Sequence, residues 1–334
     1  MEEYTHYGKQ ADVFKHLVLC EVLNNEVPAV YVDTNSASAV YQLEHTPERD
    51  YGIYHFLQNT SMNDKLKDSL YYRLESVAVL KGCYYGSPAL AMKVLRAKVD
   101  KYHFFDLESK SLENVKAFSE VEHLDDRVII RECDSTKGVM DLLPTLPETA
   151  FLHIDPYEID VKGIGGHTYF DIFVQATQLG MKCLLWYGFM TLDDMLRLDK
   201  HIATCLQKAD TQKNVIGSKL IMNNIEKDAI SYNPGILGSG LLASNLSDKS
   251  NHQLLDFTRL LVEAYKNSRY SGRDGGVYCA KEKEKALKTA VFKAFRLCKL
   301  NCVMLYSHSI SSVGERPAPR GGTTRPDERK ITII

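Results

Sequence analysis

An α/β fold built on a seven-stranded, mostly parallel sheet is predicted by three observations. Short apolar runs recur along the chain, helical patterns lie between most of them, and polar residues, often acids, close the runs. The first run, Ala29–Asp33, ends in an acid. Six more follow at Tyr102–Asp106, Val128–Glu132, Phe151–Asp155, Lys182–Tyr187, Val215–Met222 and Ile236–Ala243. Near-continuous apolar runs of this length are what a strand buried on both faces looks like.

The helices follow from periodicity. Residues 10–24 place Ala11, Phe14, Leu17, Val18 and Val22 at helical spacing, predicting an amphipathic helix before the first strand. Pro88–Lys98, Ser109–Val121, Thr168–Gly180 and Leu192–Leu206 are the clearest crossover helices. The last two strands have no obvious helix between them, which suits an antiparallel hairpin at the sheet edge.

One spacing is anomalous. About 68 residues separate Asp33 from Tyr102, where one crossover helix needs far fewer. Residues 44–85 are therefore expected to form an inserted helical subdomain, with Tyr54–Gln58 and Lys65–Leu80 helix-compatible. Insertions at this edge of a sheet usually shape the substrate side. Beyond Asn245 the pattern changes. Residues 250–267 and 281–300 are expected to be helical, the second carrying seven Lys/Arg against two Glu between Lys281 and Lys299. That face is either solvated or a nucleic-acid contact. Residues 311–334, rich in Pro, Gly and Arg, are expected to be a disordered tail. Its arginines at 316, 320, 325 and 329 are possible phosphate contacts.

Composition narrows the class. A formal net charge of −2 on 334 residues excludes a bulk polyanion binder, so any nucleic-acid site must be a local patch. No apolar run reaches the ~20 residues that span a bilayer. The acidic start, Met1-Glu2-Glu3-Tyr4, is unlike a signal peptide, so a cytoplasmic protein is expected. The eight cysteines lie at 20, 83, 133, 183, 205, 279, 298 and 302, without a CxxC pair. Reduced, buried thiols are expected, and no metal site.

In open α/β sheets ligands bind at the carboxyl ends of the strands, where strand order reverses. This chain places polar sets there: Asp33-Thr34-Asn35-Ser36, Asp106-Leu107-Glu108, Cys133-Asp134-Ser135 and Asp155-Pro156-Tyr157. An acid after the second strand can grip both ribose hydroxyls, a small-residue turn after the first can approach a cofactor, and an acid and backbone amide after the third can meet an adenine edge. Each also has a structural reading. Asp106 suits a helix N-terminus, and Asp134 suits an N-cap for residues 135–142. His16 suits a helix cap or a core position.

The residues also carry a family resemblance. Tyr4, His6 and the run Gly8-Lys9-Gln10-Ala11-Asp12-Val13-Phe14-Lys15-His16 resemble the opening signature of the RlmJ family of 23S rRNA adenine-N6 methyltransferases, whose HADVxKH core here reads QADVFKH. Tyr31-Val32-Asp33-Thr34 with Tyr41-Gln42-Leu43, Tyr85-Gly86-Ser87-Pro88, Asp155-Pro156-Tyr157-Glu158 and Gly238-Ser239-Gly240 resemble its first strand, its YPGSP element, its catalytic DPPYE and a late SG element. The similarity runs from about residue 4 to about 282.

The resemblance implies a Rossmann-like class I fold dependent on S-adenosylmethionine. Residues 1–43 and 86–282 would form the methyltransferase domain, 44–85 the inserted subdomain, 283–310 an extra basic helical extension and 311–334 the tail. By position, His16, Asn35, Ser87, Asp106, Asp134, Ser135 and Asp155 would line the cofactor pocket, and Tyr4 would contact RNA. Asp155, Pro156 and Tyr157 would be catalytic, on 23S rRNA presented free or partly assembled. No metal and no membrane partner are implied.

The chain departs from that pattern. Asn35 replaces a histidine and Asp106 a glutamate. The GAG turn reads Ser36-Ala37-Ser38, although glycine is what permits positive φ and close approach. D-P-P-Y has lost one proline, in a reaction where an error of ~1 Å can cost ~100-fold. The Gly163-Ile164-Gly165-Gly166-His167 loop that follows is flexible enough to compensate. Two alternatives to an rRNA methyltransferase therefore stay open: a non-catalytic binding protein on the same fold, and a methyltransferase acting on DNA or protein.

Overall fold

The computed structural model describes residues 7–60, 63–222 and 238–265, together with the backbone of short strands at 269–270, 273–274, 277–278 and 304–307. Helix α1 (Gln10–Glu26) leads into β1 (Val30–Asp33). A crossover through α6 (Ser87–Leu95) leads to β4 (Lys101–Asp106), and α7 (Ser109–Val121) to β5 (Val128–Glu132). Then come α8 (Ser135–Leu142), β6 (Phe151–Ile154), α9 (Tyr169–Gln178), β7 (Lys182–Phe189), α10 (Leu192–Lys208), β8 (Val215–Met222), β9 (Gly238–Ser244) and α11 (Asp248–Tyr265).

The seven long strands run in the order β8-β9-β7-β6-β1-β4-β5. β1, β4, β5, β6 and β7 are mutually parallel, while β9 is antiparallel to both β7 and β8. Strand order therefore turns at β1, with a reversed hairpin at the far edge. This is the Rossmann-like arrangement of class I methyltransferases.

Strand side chains alternate between two cores. Tyr31, Phe104, Leu184 and Leu241 face α1, α6 and α11, while Val32, Phe105, Leu185 and Leu242 face α8, α9 and α10. This period of two along each strand sorts apolar residues to both faces. Tyr31, Tyr102, Phe104 and Phe151 form an aromatic group on the first face, with neighbouring ring centroids 6.1–6.3 Å apart.

Helix α1 corrects the amphipathic expectation. Every residue from Gln10 to Leu23 is buried, including Asp12, Lys15, His16 and Glu21. The inserted segment completes this burial, covering the face of α1 that α6 and α11 leave open. The segment opens and closes on a two-stranded antiparallel ribbon, β2 (Val40–Gln42) with β3 (Cys83–Tyr85). Between them lie α2 (Pro47–Arg49), a π-helical turn at Asp50–Tyr54, α3 (His55–Asn59), α4 (Asp64–Lys67) and α5 (Leu70–Leu80). Its Tyr51, Ile53, Phe56, Leu66 and Tyr71 join the core of α1. A Cβ at Gly52 would collide with the Gly8 carbonyl oxygen, so the insert and the start of α1 touch backbone to backbone. The Glu21 carboxylate accepts from Leu70 N at 2.6 Å, placing an anion at the N-terminus of α5, where the helix dipole favours it.

The expected helical extension at 283–310 is corrected in part. Met304–Ser307 is a strand paired antiparallel with β8 along Ile216–Lys219. It extends the sheet edge beside the short strand Val277–Tyr278. The edge of β8 offers unpaired backbone groups, and these short strands satisfy them. The start of the last predicted sheet strand (236–237), the basic helix (281–300) and the arginine-rich tail lie outside the described residues. Of the described cysteines all are free. Cys20 and Cys183 are buried as expected, whereas Cys133 is exposed. Among the described residues no helix is long and apolar enough to cross a membrane.

Candidate active site

A cleft of about 380 Å³ opens at the carboxyl ends of β1, β4 and β6. Such a volume suits a nucleoside-sized ligand. It is lined by Asn35, Ser36 and Ala37 after β1, Asp106 and Glu108 after β4, and Asp155, Pro156 and Tyr157 after β6. Asp12, Lys15 and His16 on α1, with Tyr41, Tyr84, Gly86 and Ser87, close the remaining wall.

Helix α1 reaches the cleft because its first turn is well tied. The Asp12 carboxylate accepts from Lys9 N at 3.0 Å, and Lys9 Nζ pairs with Glu48 of the insert at 3.0 Å. Asp12, Lys15 and His16 sit at i, i+3 and i+4 and so share one helix face. Lys15 Nζ lies 2.6 Å from Asp155 Oδ2 and 3.1 Å from Asp12 Oδ1, and 5.0 Å from the Trp186 ring centroid. The other oxygen of Asp155, Oδ1, is buried and has no hydrogen-bond partner. Burial holds the Asp155 carboxyl above the usual range, outweighing the attraction of Lys15.

Beneath the floor, Asp33 accepts from Tyr31 OH at 3.1 Å and lies 3.2 Å from His153 Nδ1. All three residues are fully buried. The His153 imidazole is the main influence drawing the Asp33 carboxyl below its ordinary value, against the burial that opposes it.

The turn after β1 resolves one sequence departure. Its positive φ falls on Ala37, at +47°, and not on either serine that replaces a family glycine. Ser36 is fixed by hydrogen bonds from its N and Oγ to the Phe105 carbonyl at 3.0 and 3.1 Å. Ala37 N donates to Asp106 Oδ2 at 2.8 Å, and Glu108 N donates to Asp106 Oδ1 at 2.9 Å. Asp106 thus joins the turns after β1 and β4 while lining the cleft. A Cβ at Gly86 would collide with the Ser38 carbonyl oxygen; the helix carrying Ser87 therefore docks closely on the same turn.

The structure gathers His16, Asn35, Ser87, Asp106, Asp155, Pro156 and Tyr157 around one cleft. Asp134 and Ser135 are placed beside it. Asp134 caps α8, accepting from Lys137 N at 3.2 Å, and also receives Ile164 N at 3.2 Å. Ser135 Oγ lies 2.8 Å from Tyr169 OH, which also accepts from Asn35 Nδ2 at 2.8 Å. The N-cap reading of Asp134 describes its contacts, and Tyr169 ties the ends of β1 and β5 together. His16 is not a helix cap; it is buried, as the core reading has it, with its Nδ1 2.8 Å from Tyr84 OH, and it also borders the cleft. Tyr4 lies outside the described residues. Among those that are described, no cluster of three His, Cys, Asp or Glu gathers to hold a metal.

Sequence reasoning gave no role to Lys15, Asp12, Tyr41, Tyr84 or Glu108. For Lys15 a signal existed, because it shares the helical face of His16. Tyr84 carries none, since its position depends on how the insert closes.

No family model matches the chain, and no curated protein sequence matches it. Among solved structures it is similar to protein LPL1258 from Legionella pneumophila, described under the family model DUF519. The TM-score is 0.60 at 18% identity, over 81% of this chain and 97% of that one. An rRNA methylase from Streptococcus thermophilus overlaps at TM-score 0.36 and 10% identity, over 70% of this chain and 94% of that one. An O-methyltransferase from Bacillus cereus, solved with SAH, overlaps at 0.37 and 8%, over 69% and 80%. The first likeness supports the fold.

Proposed function

We propose that the protein is an S-adenosylmethionine-dependent methyltransferase acting on the N6 amino group of adenine in RNA, of the kind the RlmJ family performs on 23S rRNA. The observation that carries this reading is the buried, unpartnered Oδ1 of Asp155 at the end of β6, beside Pro156 and a half-exposed Tyr157.

The cleft residues fit the cofactor. Asp106 spends one lone pair of each carboxylate oxygen on backbone amides and keeps others for ribose hydroxyls. The close approach of Gly86 to Ser38 leaves a wall of backbone and small side chains. His16, Asn35 and Ser87 add polar groups on the remaining sides.

Bound S-adenosylmethionine supplies a sulfonium methyl group open to in-line attack. Asp155 Oδ1 accepts one N6 hydrogen bond, and the Pro156 carbonyl oxygen accepts another. These two acceptors would orient the amino group for attack on the methyl that the cofactor supplies. Tyr157 stacks on an adenine flipped out of its helix. Lys15 holds the Asp155 carboxylate in place through Oδ2, so that Oδ1 is left for the substrate. The carboxyl of Asp155, raised by its burial, would be suited to receive the proton that N6 gives up on methylation.

The test is methyl transfer from tritiated S-adenosylmethionine to deproteinised ribosomal RNA. The expected result is label in RNA with the wild-type protein and background with Asp155→Ala. Label on DNA or protein only, or none despite cofactor binding, would reject the RNA reading.

A further inference from the structure

We propose that Tyr84, itself held by Tyr71, is a positioning residue that fixes His16 in its Nε2–H tautomer, making it a hydrogen-bond donor to the carboxylate of the bound cofactor. The ligand assignment rests on the function proposed above; the hydrogen-bond chain does not.

The chain runs from the inserted segment into the cleft wall. Tyr71 OH lies 3.3 Å from Tyr84 OH, and Tyr84 OH lies 2.8 Å from His16 Nδ1. All three side chains are buried, with Tyr71 and Tyr84 at 0% exposure and His16 at 4%. The three rings pack together, the His16 centroid lying 6.3 Å from that of Tyr71 and 6.1 Å from that of Tyr84.

Distances alone leave the direction of the protons open, but partner accounting fixes it. Tyr71 OH has Tyr84 OH as its hydrogen-bond partner. If Tyr84 donated to Tyr71, the Tyr71 hydrogen would be buried without an acceptor, which costs about 1–3 kcal/mol. Tyr71 therefore donates to Tyr84, and Tyr84 donates to His16 Nδ1. A nitrogen that accepts carries no proton, so the neutral ring carries its hydrogen on Nε2. Burial, with the neighbouring Lys15 charge adding to it, keeps His16 neutral well below the usual histidine range.

Nε2 is the end offered to the cleft. His16 lines the cleft, and with Nδ1 engaged by Tyr84 the ring has Nε2 left for a ligand there. His16 follows Lys15 on α1, the helix whose ammonium meets Asp155, whereas Asp106 stands on the opposite element, after β4. With the ribose at Asp106, the methionyl end of the cofactor falls on the His16 side. An N–H there matches its carboxylate. The insert thereby sets a donor in the cofactor site without touching the cofactor through Tyr71.

The experiment uses the full chain labelled with 15N-histidine. Long-range 1H–15N spectra report the tautomer, with His16 signals assigned by their loss in His16→Asn. The inference predicts Nε2–H for His16 in the wild type and in Tyr71→Phe, and a mixed tautomer in Tyr84→Phe. Calorimetry with S-adenosylmethionine should show about tenfold weaker binding for Tyr84→Phe and a change within about twofold for Tyr71→Phe. An Nδ1–H signal in the wild type, or an unchanged tautomer in Tyr84→Phe, would overturn the inference. Loss of affinity in Tyr84→Phe without a tautomer change would mark Tyr84 as structural only, and so would also overturn it. A wild-type protein that fails to bind S-adenosylmethionine would reject the proposed function and the ligand, while the spectra would still decide the direction of the chain.

Discussion

Lys15 on the first helix and Asp155 at the end of β6 meet at 2.6 Å in a pair that is about nine-tenths buried on both sides. One carboxylate oxygen is consumed by the lysine and the other is left without a partner. A buried ion pair is weak evidence of stability, because desolvation offsets most of the attraction. Its asymmetry suits a site that must hold one acceptor still for a substrate.

Breaking the pair should be costly to the fold. Lys15→Met should destabilise by about 3–5 kcal/mol, because buried Asp155 and Asp12 lose their shared cation. Lys15→Met/Asp155→Asn should recover much of that loss in urea denaturation. Neither variant should transfer methyl groups. A double variant as unstable as the single one would contradict this account of the pair.

Activity should fall with acid earlier than an ordinary aspartate allows. The Asp155 carboxyl is held above its usual value by burial, so its protonated, inactive form appears at a higher pH. A kcat/KM profile should show an acid limb above the ordinary aspartate pKa of about 3.9. A profile flat down to that value would argue against Asp155 as the acceptor.

Stability should respond to pH through His103. Burial, followed by the positive Arg131 and Lys101, lowers this histidine to about 4. Its Nδ1 accepts from Arg131 Nε at 3.3 Å, which requires the neutral ring. Between pH 4 and 6.5 the unfolded chain binds the proton and the folded one does not, so stability rises with pH across that window and is lost as pH falls. The contribution approaches about 1.4 kcal/mol per pH unit. His103→Gln should flatten the dependence measured by urea denaturation from pH 7.5 to 4.5; an unchanged slope would contradict it.

The turn after β1 separates two kinds of glycine argument. Gly86→Ala should cut cofactor affinity at least tenfold, because the added methyl meets the Ser38 backbone. Ala37→Gly should leave affinity intact and be neutral or stabilising by up to about 1 kcal/mol, since Ala37 already sits at positive φ. Ser36→Gly and Ser38→Gly should bring no such gain. Calorimetry and thermal unfolding check all four.

The sheet was legible because its strands are apolar runs closed by polar residues, and Asp106 and Asp155 stand at those ends beside the cleft. Asp134 shows the limit of that logic: an acid one residue before a helix caps it, whatever the neighbouring strands do. The unusual length between β1 and β4 was visible as a spacing, but the effect of that segment on α1 was not. Burying Lys15 and His16 requires the fold of residues 44–85, and the Tyr71–Tyr84–His16 chain joins segments whose contact no local pattern encodes. The edge strand Met304–Ser307 is four residues long, too short for alternation to distinguish it from the helical extension expected there.

The central claim is most directly tested by digesting RNA after reaction with labelled S-adenosylmethionine and separating the nucleosides. The account predicts label in N6-methyladenosine with the wild type, and none with Asp155→Asn despite retained cofactor binding. Label in another nucleoside, or equal label with Asp155→Asn, would contradict it.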